Sequence, residues 1–150
     1  MKIKHVNYSK QFRENCLALF DENCPTYFAE NERDDYEAFL DTPIASIDYE
    51  LGLVDDRVIA AFGLIADESS KRARLAWIMV SGKYFGQGLG SKLMQRAFVR
   101  AHDRQCSAID IAASHLSAPF FVKHGAKELR KVQDGWGEGM HRIDMELPLK

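Results

Sequence analysis

No apolar run in this 150-residue chain approaches the roughly 20 residues of a membrane-spanning helix, so a membrane partner is not expected. The opening Met-Lys-Ile-Lys-His lacks the apolar stretch of a signal peptide, and a cytoplasmic location is expected. Cysteine is scarce. Cys16, Cys24 and Cys106 are odd in number and unclustered, which fits reduced thiols and argues against a disulfide framework or a zinc site. No metal is expected. A dense basic stretch interleaved with aromatics is also missing, so nucleic acid is not an expected partner. No repeat, linker or low-complexity tract divides the chain. Its length and its 46% hydrophobic content suit one domain, residues 1–150, with a real core.

The formal net charge of −2 hides an asymmetry. Residues 1–70 carry 15 Asp/Glu against 6 Lys/Arg, and residues 71–150 carry 7 against 14. One reading gives the basic half an anionic ligand and the acidic half a cationic one. The other is two solvated faces of one fold.

Apolar periodicity sketches the elements. Ile3 and Val6 mark a short strand, and Ser9 can cap a helix over about Lys10–Asn23. A second, acidic helix is expected over Asn31–Leu40, broken by Thr42-Pro43. Residues 47–54 alternate as a strand, Asp55-Asp56 turns, and Arg57–Ala66 returns. Ala73–Val80 is the next strand. From Gly88 to about Arg104, Leu89, Leu93, Met94, Ala97, Phe98 and Ala101 recur at helical spacing. A strand over Ser107–Ala113, a short helix over Ser117–His124, and strands over Lys127–Gln133 and Met140–Leu149 follow. Asp134–Gly139 is expected as a glycine-rich loop. This order predicts a single α/β domain with a mixed sheet.

Between the strand ending at Val80 and the long helix, Gly86, Gly88 and Gly90 alternate. A glycine-lined turn opening a helix is a phosphate site: the first N–H groups lack intrahelical partners and the dipole adds positive charge. A P-loop does not fit, because Gly90 is followed by Ser91-Lys92 in the wrong order. A dinucleotide fingerprint fits poorly as well, since Leu93 stands where its third glycine belongs.

The segment Val80-Ser-Gly-Lys-Tyr-Phe-Gly-Gln-Gly-Leu-Gly90 resembles the acyl-CoA loop of the GNAT superfamily of N-acetyltransferases, V-x-P-x-x-[Q/R]-G-x-G-x-[G/A]. Ala118-Pro-Phe-Phe-Val-Lys-His-Gly-Ala126 resembles that family's second signature, A-x-x-F-Y-x-K-x-G-F, and the element order agrees along the whole chain. The resemblance implies a mixed, mostly antiparallel central sheet flanked by helices. It also implies acetyl-CoA as co-substrate. Ile78, Met79 and Val80 would pair with the pantetheine arm, and Gly86, Gln87, Gly88, Leu89, Gly90 and Ser91 would hold the pyrophosphate. Ser114 stands where the family often has an asparagine touching the cofactor. Phe121 stands where a tyrosine commonly protonates the departing thiolate, and phenylalanine cannot donate that proton.

The reaction implied is direct attack of a primary amine, of a small molecule or a protein, in a ternary complex. The amine must first lose a proton. Asp110, His115 and His141 are candidate bases, each also readable as an ordinary strand or surface residue. Tyr27, Phe28 and Trp136 are expected to wall a substrate cleft, with Glu138 beside them to fix an ammonium. Glu30, Glu32, Asp34 and Asp35 add negative charge in the same region, and Tyr36 is expected there or in the core. The alternative is a CoA-binding regulatory module with little or no catalysis. A homodimer stays open, with no interface identified.

Overall fold

A computed structural model describes residues 2–149. The elements are β1 (Lys4–Asn7), α1 (Arg13–Asn23), α2 (Glu32–Leu40), α3 (Pro43–Asp48), β2 (Tyr49–Val54), β3 (Arg57–Asp67) and β4 (Arg72–Val80). They continue with α4 (Leu89–Asp103), β5 (Ala108–Ser114), α5 (Ala118–Lys123), β6 (Lys127–Gly137) and β7 (Met140–Pro148). The seven strands form one sheet in the order β1-β2-β3-β4-β5-β7-β6. Only β4 and β5 run parallel, so the sheet is mixed and mostly antiparallel. The helix α4 is the crossover that parallel neighbours require.

Alternation along β3 sends Ala60, Phe62 and Leu64 to one core and Ala61 to another. The first core takes Leu89, Leu93, Met94, Ala97 and Ala101 of α4, with Ile109 and Ile111 of β5. The second takes Cys16, Leu19 and Phe20 of α1 and Tyr36 and Leu40 of α2. Helices thus cover both faces of the sheet.

Three expectations about local structure change. Thr42-Pro43 does break the acidic helix, but Pro43 then starts α3, because proline suits a first helical position whose N–H lacks a partner. The segment 43–48, whose last two residues were expected in a strand from their alternation, is therefore helical. Ser9 makes no side-chain cap; a short 3-10 turn over Lys10–Phe12 comes between it and α1. Asp134–Gly139 is not an open loop, since β6 runs on to Gly137 and turns tightly at Glu138-Gly139. Its glycines serve packing: a Cβ on Gly135 would come within 2.6 Å of the Arg142 Cβ.

The charge asymmetry is partly internal. Arg96 of α4 forks onto Glu50 of β2, and Arg100 and Arg104 reach the Asp48 carboxylate. Basic helix and acidic strand face each other across the first core's edge, which uses up charge that composition left free for ligands. No helix among the described residues is long and apolar enough to cross a membrane.

Candidate active site

The strands β4 and β5 are hydrogen-bonded only where Arg72–Arg74 lie beside Ala108–Asp110. Beyond that point they diverge. A cleft of about 970 Å³ opens between Leu75–Val80 on one side and Ile111–Ser114 on the other. A bulge in β4 accompanies the divergence: the three steps from Ala76 to Met79 oppose only two on β3, from Gly63 to Ala61. Trp77 takes the strained turn, at φ 49°. Its carbonyl is turned onto the buried Tyr49 hydroxyl at 2.8 Å, which in turn accepts from the Tyr36 hydroxyl at 2.9 Å. These two tyrosines, silent as a motif, hold the bulge.

At the other end of β4 the loop runs into α4. Gly86 and Gly88 adopt φ of 81° and 76°, with open space where a Cβ would stand. That conformation needs glycine, and the space keeps the amides accessible. The first N–H bonded back within the helix is that of Lys92, onto Gly88, so those of Leu89, Gly90 and Ser91 have no intrahelical partner. Gly90 is small for another reason: a Cβ there would meet the Phe120 ring at 3.0 Å. Glu22 braces the loop by accepting from the Ser81 hydroxyl at 2.7 Å, and Ser91 bonds His124 at 3.2 Å. The loop can therefore receive a pyrophosphate on backbone donors.

The opposite wall comes from the α1–α2 connection. Tyr27 and Phe28 line the cleft, and Tyr27 meets the exposed Phe85 ring edge-on at 6.2 Å. Trp136 reaches across from β6, its indole donating to the Ala113 carbonyl at 3.0 Å, while Asn31 donates to the Trp136 carbonyl at 2.7 Å. Gly137 has no room for a side chain, because Asn31 Oδ1 lies 2.6 Å from the position of a Cβ. The arch of β6 is thereby clamped to the start of α2.

Three carboxyls line the cleft: Glu32, Asp110 and Asp144. Arg72 grips both Asp110 oxygens through the Nε and Nη2 of one guanidinium edge, at 3.0 and 2.6 Å, and also bonds Glu146. Arg130 and Arg142 both bond Asp144. Glu32 has no cationic partner. It is 4% exposed, and burial pushes its carboxyl up to about 7 with help from the Asp35 charge, against an N–H bond from Ala29 at 2.7 Å.

Most residues singled out by sequence lie on this cleft: Ile78, Met79, Val80, Gly86, Gly88, Leu89, Gly90, Ser91, Asp110, Ser114, Phe121, Tyr27, Phe28 and Trp136. Gln87 and Glu138 are exposed and off its wall. His115 and His141 are also off it. Their rings lie 4.7 Å apart and tilted by 48°, and each Nδ1 accepts a backbone N–H, from His141 and Asp134 respectively. They tie the end of β5 to the β6 arch. Ser114 is buried and closes the turn into α5 through paired bonds with Ser117. The Val80 carbonyl already accepts from Asn23, a buried residue that no spacing rule singled out. Tyr36 is fully buried core. Cys16 is sealed, its thiol pushed up to about 12 by burial, and no cysteine lines the cleft. Among the described residues, no group of three His, Cys, Asp or Glu side chains is placed to hold a metal ion.

The chain matches no curated protein. Solved structures match along its full length. A GNAT-family protein from Desulfovibrio desulfuricans superposes with a TM-score of 0.81 at 16% identity, covering 99% of this chain and 100% of its own. A GNAT-family acetyltransferase from Staphylococcus aureus gives 0.78 at 15%, with 99% and 100% covered. The N-acetylglutamate synthase of Neisseria gonorrhoeae, solved with coenzyme A and N-acetyl-glutamate, gives 0.74 at 12%, and this chain spans 36% of it. At such identities the likeness is one of fold. The profile of the acetyltransferase (GNAT) family, however, matches residues 16–126, a stretch that includes both glycine-loop and Ala118–Ala126 motifs. With the sequence match and the splayed β4–β5 cleft in agreement, this chain belongs to the acetyltransferase (GNAT) family.

Proposed function

We propose that this protein transfers the acetyl group of acetyl-CoA to a primary amine by direct attack in a ternary complex. The observation that carries the reading is the continuity of one cleft: it begins at the unpartnered amides of Leu89, Gly90 and Ser91, follows the free edge of β4, and ends among Tyr27, Phe28 and Trp136.

The loop amides bind the pyrophosphate with the α4 dipole behind them. The unpaired stretch of β4 offers backbone groups to the pantetheine arm, as an added strand would receive. Phe121, buried at the cleft wall, excludes water near the sulfur. The acetyl-CoA supplies an activated thioester carbonyl. The aromatic wall positions the amine against that carbonyl, and the C–N bond forms as the C–S bond breaks. The absence of any cysteine from the cleft favours this route over an acyl-enzyme.

The acceptor is a small-molecule or protein amine. Phe121 favours a second reading, a CoA-binding module with little turnover, because it lacks a tyrosine's hydroxyl. Thermal-shift titration with acetyl-CoA is expected to stabilise the protein, and failure at saturating ligand refutes both readings. Thiol release across a panel of primary amines then separates them: turnover supports the enzyme, and binding without turnover supports the module.

A further inference from the structure

We propose that Glu32 is the proton acceptor for the incoming amine. The inference rests on the acetyltransfer reading above, and it turns on which carboxyl in the cleft is chemically free. Asp110 and Asp144 are both engaged by arginine hydrogen bonds, so their carboxylate oxygens already have protein partners. Glu32 is more than nine-tenths buried, lines the cleft, and makes one hydrogen bond, its Oε2 accepting from the Ala29 N–H. Its other oxygen makes no hydrogen bond to any described residue. A carboxyl tied at one oxygen and free at the other is oriented without being neutralised.

The surroundings suit the task. Tyr27, Phe28 and Trp136 line the same cleft and contribute apolar surface to it. The charged groups that face it are Asp35, one turn along its own helix, and Cys24 at the end of α1, whose thiol responds to the Glu32 charge. Among the described residues, no lysine, arginine or histidine offsets it. Burial therefore places the carboxyl at about 7, where near neutral pH a substantial fraction is ionised and that form is basic enough to take a proton from an ammonium.

The step balances as follows. The ammonium gives one proton to the free Glu32 oxygen, and the neutral nitrogen attacks the thioester carbon. As the C–N bond forms the C–S bond breaks, and the thiolate leaves with the electron pair. The second nitrogen proton passes to that sulfur, and Glu32 releases its own proton to solvent. No oxidant or metal is required. The aromatic wall beside Glu32 selects a primary amine borne on an apolar or aromatic stem.

The test uses Glu32→Gln, whose amide oxygen can still accept from Ala29, in the full chain. Acetyl-CoA, 2-phenylethylamine and a panel of other primary amines are the probes, and the best acceptor is carried forward. Wild-type kcat is expected to rise with pH through about 7. The variant is expected to bind acetyl-CoA unchanged by thermal shift, to lose kcat by about 100-fold, and to lose that limb of the profile. Glu32→Asp is expected to recover part of the rate. A variant that keeps wild-type kcat and the limb near pH 7, or that changes only the KM for the amine, overturns the assignment. Wild-type protein that shows no thiol release with any amine overturns the acetyltransfer reading instead, and Glu32's role with it.

Discussion

Removing the Tyr49 hydroxyl is the sharpest test of how the cleft is held open. That oxygen is fully buried, donates to the Trp77 carbonyl at 2.8 Å, and accepts from Tyr36 at 2.9 Å. In Tyr49→Phe the carbonyl of a left-handed residue loses its partner inside the core, a loss of about 1–3 kcal/mol, and Tyr36 loses its acceptor at about 1 kcal/mol. The expected destabilisation is about 2–4 kcal/mol. For a domain of this size it corresponds to a fall in Tm of roughly 5–15 °C. Tyr36→Phe is the control: it removes only the outer bond, leaves Trp77 satisfied, and should cost about 1 kcal/mol. Urea unfolding followed by fluorescence of the two tryptophans reads both variants. The reasoning fails if Tyr49→Phe lies within about 0.5 kcal/mol of wild type, or if Tyr36→Phe is the more damaging of the two.

The remaining expectations concern the ligand and the proton. Gly88→Ala meets no steric obstacle but must adopt φ 76°, at about 1–2 kcal/mol, and its methyl occupies part of the open space at the loop. Calorimetric titration should show acetyl-CoA bound at least about 10-fold more weakly, and unchanged affinity would refute the phosphate assignment. Phe121→Tyr restores a hydroxyl at the cleft wall and should raise thiol release by about 10-fold or more with little change in acetyl-CoA affinity; an unaltered rate would mean that thiolate protonation is not limiting. The raised Glu32 carboxyl makes a prediction in the absence of any substrate. Its proton is held more tightly folded than unfolded, so its contribution to stability is full below about pH 4.5 and is lost as pH rises through about 7. Glu32→Gln should therefore gain on wild type by on the order of 2–3 kcal/mol between those limits, read by urea unfolding at each pH. Parallel pH profiles for the two proteins would refute the buried, unpaired carboxyl.

Local chemistry carries what the sequence alone made visible. The α4 stripe of Leu89, Leu93, Met94, Ala97 and Ala101 is legible because helical spacing and burial coincide there. The glycine loop is legible because Gly86 and Gly88 fill a backbone need that no other residue meets cheaply. Tyr27, Phe28 and Trp136 were expected beside a cleft from their place near the first helices and the 134–139 segment, and these three line one cleft, whereas Tyr36 is buried in the core. Pro43 misled because a helix breaker and a helix starter look alike until the following turn is seen. The glycines of 134–139 misled for a related reason: glycine marks crowding as well as freedom, and Gly135 and Gly137 are crowded.

Titration chemistry was beyond the sequence. Asp110, His115 and His141 have suitable side chains, but their partners are set by strand pairing: Arg72 for Asp110, the His141 N–H across β5–β7 for His115, and the Asp134 N–H across the β6–β7 hairpin for His141. Glu32 stood in an acidic run, where nothing marks one carboxylate as buried and three others as solvated. Only the docking of α2 against the sheet and the β6 arch makes that distinction. A motif is enough to specify a backbone site, because its donors belong to the loop itself. A proton acceptor depends on desolvation and on which cations stay away, and those are settled by residues that meet only in the folded chain.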